Sequence, residues 1–167
     1  MPSQPRRAVL LVCHANTCRS VMAHALLEKM LEQRAICDVQ VRSGGIAEYA
    51  RDGMLPSLDA RLVLHEEDIH IAAEDFKSTD LRRHRDLVAV ADVIVTMTGL
   101  QKEMLGALPE VDGKPLFTLR ELAGESGDIA DPACQGEEVF RARMQEIKRC
   151  LEKSFDRLLQ TLNRDGG

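Results

Sequence analysis

A short apolar run, Ala8-Val9-Leu10-Leu11-Val12, passes into Cys13-His14-Ala15-Asn16-Thr17-Cys18-Arg19-Ser20 and then directly into residues with helical periodicity, Met22, Leu26 and Met30. Continuous apolar character over so few residues predicts a strand buried on both faces, as parallel sheets require. The chain must therefore turn from strand to helix within the five residues that separate Cys13 from Arg19. Such a loop curls so that several backbone N–H groups point inward while the helix N-terminus aims at the same spot, an arrangement that binds an oxyanion. An anion held there touches Cys13.

The residue types suit that chemistry. A thiol attacks as thiolate, and helix dipole, inward amides and a nearby cation all favour that form. Arg19 offers a planar fork for two phosphate oxygens. Ser20 has a hydroxyl to donate to the sulfur when it becomes a leaving group, and Asn16 combines donor and acceptor on a short side chain able to tie the loop's own backbone. Two other readings of the same residues are a pair of inert buried cysteines and a metal site. His14 lies directly beside Cys13 and no second Cys-x-x-Cys or His pair completes four ligands, so no metal is expected.

Apolar runs alternate with helical patterns along the chain, which predicts one α/β domain over residues 1–167, a four-stranded parallel sheet with helices on both faces and the phosphate loop after strand 1. Strands are expected at Ala8–Cys13, Asp38–Ser43, Asp92–Met97 and Pro115–Thr118. Helices are expected to begin near Arg19, Pro56, Asp80, Gly99, Leu119 and Glu137. In the last of these Phe140, Met144, Ile147, Leu151, Phe155, Leu158 and Leu162 recur at helical spacing as a core stripe, and Asn163-Arg164-Asp165-Gly166-Gly167 ends it. Ligands of open α/β sheets bind beyond the strand C-termini, where the loop after Val12 falls. Gly124-Glu125-Ser126-Gly127-Asp128-Ile129-Ala130-Asp131-Pro132 is rich in turn formers and is expected to reach over that pocket. Pro132 disfavours helical geometry at Asp131 and holds its carboxylate outward. Asp128 is the competing acid and lacks the proline.

Val12-Cys13-His14-Ala15-Asn16-Thr17-Cys18-Arg19-Ser20-Val21-Met22-Ala23 resembles the active-site signature of the low-molecular-weight protein tyrosine phosphatase family, and Asp131-Pro132 resembles that family's late Asp-Pro. Ser43-Gly44-Gly45 is similar to its Ser-Ala-Gly, and Asp92-Val93-Ile94-Val95-Thr96-Met97 to its third strand; the likeness covers essentially the whole chain. The resemblance implies a phosphatase acting through a phosphocysteine, with Cys13 as nucleophile, Arg19 as phosphate clamp and Asp131 as general acid. His14, Ala15, Asn16, Thr17, Cys18 and Ser20 would line the phosphate site, Asn16, Ser20 and Ser43 would support the loop, with Asn16 and Ser43 hydrogen-bonded as its brace, and Cys18 would be the partner of Cys13 in a protective disulfide. It also implies no metal or other cofactor, a phosphorylated protein as substrate and inorganic phosphate as product. The chain departs from the family at Ala15, where glycine is usual, at Val21, where proline is usual, and at His24, where glutamate is usual. Any left-handed geometry at Ala15 would be strained.

Between phosphotyrosine and phosphoarginine the residues point both ways. Aromatic content is 3%, Tyr49 is the sole tyrosine, and Ala133-Cys134-Gln135-Gly136 follows Asp131-Pro132 where tyrosine-directed members usually carry aromatics. Thr17 stands where bacterial protein arginine phosphatases carry threonine; simple loop scaffolding is the other reading of it. Tyr49 is still able to supply one wall for a phenol. A thiol-dependent arsenate reductase relaying electrons through Cys134, and a catalytically weak phosphate-binding module, are the alternatives on the same fold; a dinucleotide site lacks its Gly-x-Gly-x-x-Gly.

The formal net charge of −5 disfavours nucleic acid as a partner. Arg82-Arg83-His84-Arg85 is read as a solvated helix face. No apolar run approaches a membrane span, and the five apolar residues after Arg7 are too few for a secretory signal. The odd set Cys13, Cys18, Cys37, Cys134 and Cys150 has no disulfide-scaffold spacing. A cytoplasmic protein is expected.

Overall fold

The computed structural model describes residues 6–164. Its centre is β1 (Arg7–Cys13), which pairs in parallel with β2 (Val39–Gly45) on one side and with β3 (Val93–Thr96) on the other; β4 (Leu116–Thr118) extends the sheet beyond β3, giving the order β2-β1-β3-β4. Because successive side chains of a strand point to opposite faces, β1 feeds two cores. Val9, Leu11 and Cys13 face α1 (Arg19–Gln33), α2 (Leu58–Glu66) and the long terminal helix, with Met22, Leu27, Leu64, Phe140 and Ile147 among their neighbours in that core. Leu10 and Val12 face the opposite way, toward Leu81, Val88 of α3 (Arg85–Val90) and Leu105 of α4 (Gly99–Gly106). A further short helix, α5 (Leu119–Leu122), leads through the loop of residues 123–136 into α6 (Glu137–Arg164).

The expected strands and their parallel order are present, with ends shifted by one or two residues. Helix starts at Arg19, Gly99, Leu119 and Glu137 are also as expected. Two of these are fixed by reciprocal capping boxes, Thr98 with Gln101 and Thr118 with Glu121. The glycines expected to end α6 lie outside the described residues.

Two helices start later than expected, α2 by two residues, at Leu58 after Pro56, and α3 by five. Asp80 does not open α3; it forms an isolated parallel bridge with Gly45, its carboxylate binds Arg82, and its N–H donates to Asp52 Oδ1 at 2.8 Å. Residues 81–84 are consequently a turn and the helix begins at Arg85. The basic cluster is therefore a set of ion pairs rather than a helix face: Arg82 to Asp80, His84 to Asp52 at 3.0 Å, and Arg85 to Glu110 at 2.6 Å. Two 3-10 turns, Ala73–Phe76 and Pro109–Val111, were not expected.

β1 connects outward to β2, and the chain then crosses back to β3 on the other side of β1. This reversal leaves a crevice at the C-terminal ends of β1 and β3, where ligands of such sheets bind. Cys13 ends β1 in that crevice.

Candidate active site

Residues 14–18 link β1 to α1 as an irregular loop with its two polarities sorted. The carbonyls of Cys13, His14 and Thr17 accept from the N–H groups of Ile46 at 3.1 Å, Ala47 at 3.1 Å and Ser57 at 2.9 Å. Among the described residues the N–H groups of His14, Ala15, Thr17 and Cys18 find no protein acceptor. Unpaired amides at a half-buried loop demand a partner, and an anion fits. Cys18 stands at the N-cap of α1 without a side-chain cap bond, and the first turn holds no acidic residue, so the helix N-terminus is left open to the same anion.

The left-handed residue of the loop is Asn16, at φ 63°, and not Ala15. Asparagine tolerates that region far better than alanine, so the alanine that departs from the family pattern carries no backbone penalty. Gly45 is the glycine the loop needs: a Cβ there would lie 2.6 Å from the His14 carbonyl oxygen and 2.9 Å from the Ala15 carbonyl carbon.

A directed chain of hydrogen bonds ends on the sulfur. Thr79 N–H donates to Asn16 Oδ1 at 2.9 Å, which fixes the amide with its NH2 toward Ser20 Oγ, 2.7 Å away. That NH2 only donates, so Ser20 accepts from it and is free to donate its own proton to Cys13 Sγ at 3.0 Å. Asn16 N–H is the second donor to the sulfur, at 3.3 Å. Cys13, Asn16 and Ser20 are all buried. Both donors stabilise negative charge on the sulfur.

Arg19 is 2% exposed. Its Nη1 donates to the Ile129 carbonyl at 2.8 Å and its Nη2 lies 3.8 Å from Asp131 Oδ2, so the loop that brings the acid also orients the guanidinium. The Asp131 side chain is 46% exposed. Its Oδ1 accepts from Ala133 N–H at 3.0 Å, the Asx turn that Pro132 sets up. Asp128, the rival acid, is occupied: its Oδ1 accepts from Gly99 N–H at the start of α4.

Tyr49 is 58% exposed, and its ring lies 6.2 Å from that of His14. Burial first, with the negative charge of Asp131 behind it, pushes the Tyr49 phenol above its ordinary range, although Arg19 acts the other way. Thr17 Oγ1 lies 3.7 Å from Cys18 Sγ, and desolvation holds the Cys18 thiol above its usual range despite that contact. Cys13 and Cys18 are free thiols, as are Cys37, Cys134 and Cys150. Cys134 is exposed, at φ 62° just past the acid.

One expected support is placed differently. Ser43 does not bond Asn16; its Oγ meets His24 Nδ1 at 2.9 Å, while His24 Nε2 lies 3.5 Å from Glu28, so this pair ties α1 to β2 and the partner of Asn16 is Thr79. Thr79 and the Ile129 carbonyl escaped the sequence reading because both are long-range backbone contacts without a residue-type signal. Gly45 falls within Ser43-Gly44-Gly45, whose sequence does not show how closely the backbone of residues 14 and 15 approaches it. Among the described residues no group of three or more His, Cys, Asp or Glu side chains is placed to hold a metal ion.

With this geometry in view the chain can be set beside known proteins. Residues 8–166 match the family described as low molecular weight phosphotyrosine protein phosphatase. The protein-arginine-phosphatase of Geobacillus stearothermophilus is 35% identical over 152 residues, covering 90% of this chain and 95% of that protein. The structure of the YwlE arginine phosphatase from the same organism superposes with a TM-score of 0.77 over 92% of this chain and 94% of that one. The low molecular weight protein-tyrosine-phosphatase PtpB of Staphylococcus haemolyticus is 30% identical over 141 residues, covering 83% of this chain and 91% of that protein. A YwlE arginine phosphatase in which a cysteine is mutated to serine and the active-site serine is phosphorylated superposes with a TM-score of 0.80, at 28% identity, over 90% of this chain and 95% of that one.

Proposed function

The chain belongs to the low-molecular-weight phosphotyrosine protein phosphatase family, cysteine-dependent hydrolases of phosphorylated protein side chains, and on that premise we propose that Cys13 is the nucleophile, Arg19 the phosphate clamp and Asp131 the acid and base. The observation that carries this assignment is the Thr79–Asn16–Ser20 chain ending as a donor on Cys13 Sγ, inside a loop whose N–H groups lack protein acceptors.

The Cys13 thiolate attacks phosphorus while the loop amides and Arg19 hold the three non-bridging oxygens. As the bond to the leaving atom breaks, protonated Asp131 gives that atom its proton, and a phosphocysteine remains. Asp131, now a carboxylate, takes a proton from the water that attacks the same phosphorus. Inorganic phosphate leaves, the electron pair of the S–P bond returns to sulfur, and Ser20 O–H stabilises the thiolate as it forms.

The leaving group we assign is the guanidine of phosphoarginine. Around the cradle stand the rings of Tyr49 and His14, the Asp131 carboxyl and the Thr17 hydroxyl. A guanidinium uses a hydrogen-bonding carboxyl oxygen, a hydroxyl and one aromatic face, whereas a phenol needs two flat apolar walls. The likeness to protein-arginine-phosphatases supports the same choice. Phosphotyrosine is the second reading, favoured by the exposed Tyr49 ring. We read residues 1–167 as one domain working in a reducing cytoplasm, a reading supported by five cysteines whose spacing is not that of a disulfide scaffold; among the described residues no helix is long and apolar enough to cross a membrane.

Phosphopeptides of one sequence carrying either phosphoarginine or phosphotyrosine test the assignment. Wild type is expected to prefer phosphoarginine, Thr17→Ile to move toward phosphotyrosine, Cys13→Ser to be inactive on both, and Asp131→Ala to turn over slowly while still binding vanadate. Equal loss of turnover and vanadate binding in Asp131→Ala would make that residue structural.

A further inference from the structure

His14 follows the nucleophile, and the mechanism above uses its backbone but not its ring. The ring sits at the mouth, its centroid 6.2 Å from that of Tyr49 and its plane inclined by 57°. Nδ1 is buried and has no hydrogen-bond partner among the described residues. An imidazolium carries a proton on both nitrogens, so charging the ring would put an N–H at a buried position with nothing to accept it. A neutral ring protonated at Nε2 leaves only an unfilled lone pair there.

The charged and titratable groups near this ring are Arg19 of α1, Asp131 of the loop before α6 and the Tyr49 phenol of the segment after β2. Burial, and then the Arg19 guanidinium, hold its pKa below the ordinary histidine value of 6.5, with Asp131 opposing them. The imidazole thus stands near the Arg19 guanidinium and the Asp131 carboxyl, with its uncharged form favoured.

We propose that the His14 ring sets the leaving-group selectivity of the site: uncharged, it accommodates a guanidinium beside Tyr49 and Asp131, and protonated, it repels that guanidinium while leaving an uncharged phenol unopposed. The inference rests on the reading that the phosphorylated side chain binds with its leaving atom at Asp131. Phosphotyrosine takes up its second phosphoryl proton at about pH 6, inside the histidine range, so the phosphoryl contribution cancels only when the wild-type ratio is set against the same ratio in a His14→Asn variant. The guanidinium charge does not cancel. Like charges some 6 Å apart at a half-solvated mouth change a binding constant by about tenfold.

The experiment measures kcat/KM for matched phosphoarginine and phosphotyrosine peptides from about pH 7.5 to about pH 5, the span over which a histidine of lowered pKa titrates. Spontaneous loss of the acid-labile P–N bond is subtracted. Divided by the same ratio in His14→Asn, which carries the substrate titration alone, the wild-type arginine-to-tyrosine ratio is expected to fall about tenfold along a single-proton curve. The midpoint of that curve is expected to match the titration of the His14 Cε1–H resonance in the wild-type NMR spectrum, a measurement that needs no variant to fold. A ratio whose pH profile is the same in wild type and His14→Asn, or a mismatch of the two midpoints, overturns the proposal. Turnover of neither peptide overturns the protein-substrate reading and the selectivity proposal with it; turnover of both with that shared profile overturns the selectivity proposal alone.

Discussion

Asn16 supports the loop in three ways: it accepts the left-handed turn at φ 63°, its Oδ1 anchors Thr79 N–H, and its NH2 sets the direction of the Ser20 hydroxyl. The three can be separated. Asn16→Ala removes them all, and is expected to destabilise the fold by about 1–3 kcal/mol through the strained turn and the orphaned Thr79 N–H. Asn16→Asp keeps an acceptor for Thr79 and tolerates the same backbone, but it offers Ser20 only an acceptor, which draws the hydroxyl proton away from the sulfur. Its kcat is expected to fall by about 10²-fold, the size of losing one catalytic hydrogen-bond donor, with a smaller loss of stability. Denaturant melts and para-nitrophenyl phosphate turnover of both variants distinguish the two effects; equal stability loss with unchanged kcat in Asn16→Asp would remove the directed chain from the mechanism. Gly45→Ala acts by contact alone, driving a methyl into the His14 carbonyl 2.6 Å away. A loss of about 1–3 kcal/mol, together with most of the activity, is expected from melts and the same assay.

At the scale of elements the site depends on how the acid loop is fastened. Glu125 at its start receives Arg149 and Lys153 from α6 and Arg120 from α5, while Ile129 N–H donates to the Met97 carbonyl at the end of β3, and the Ile129 carbonyl receives Arg19. The Arg149 and Lys153 contacts hold the Glu125 carboxyl at about 2, below its ordinary 4.5. A depressed carboxyl stabilises the fold above its unfolded value and loses that contribution as pH falls through the folded one. The difference in Tm between wild type and Glu125→Gln is therefore expected to be full above pH 4.5 and to shrink toward pH 2 in calorimetry; a difference unchanged over that window would mean the carboxyl is not held this way. Elements of this kind were legible in part. The four strands, the loop after β1 and the acid next to Pro132 could be read because apolar runs, turn residues and short spacings are local signals. The start of α3 could not, since the Asp80 bridge to Gly45 and its bond from Asp52 are tertiary contacts that override the local helical pattern. The partner of Ser43 is not legible for the same reason, because which side chain a serine meets across a sheet is decided by how α1 lies on β2.

The whole molecule places a strongly attractive point on a repulsive body. One crevice at the sheet's reversal collects the loop amides, the α1 N-terminus and the buried Arg19, yet the chain carries a formal charge of −5. The two fields differ in reach and in their response to salt. Repulsion between the exposed acidic surface and an acidic phosphopeptide acts through solvent and is screened over about 8–10 Å at 0.1–0.15 M salt. Attraction inside the cradle acts at contact distance from groups shielded from solvent, and is screened much less. Added salt should thus weaken the obstacle more than the binding. For a phosphopeptide flanked by Asp and Glu, kcat/KM is expected to rise as sodium chloride goes from about 20 to about 200 mM, and for the same peptide flanked by neutral residues to change little. Stopped-flow binding to Cys13→Ser locates the effect: the gain belongs in the association rate, with dissociation nearly constant. A fall in kcat/KM with salt for the acidic peptide would mean that a basic surface near the mouth, and not the cradle alone, draws the substrate in.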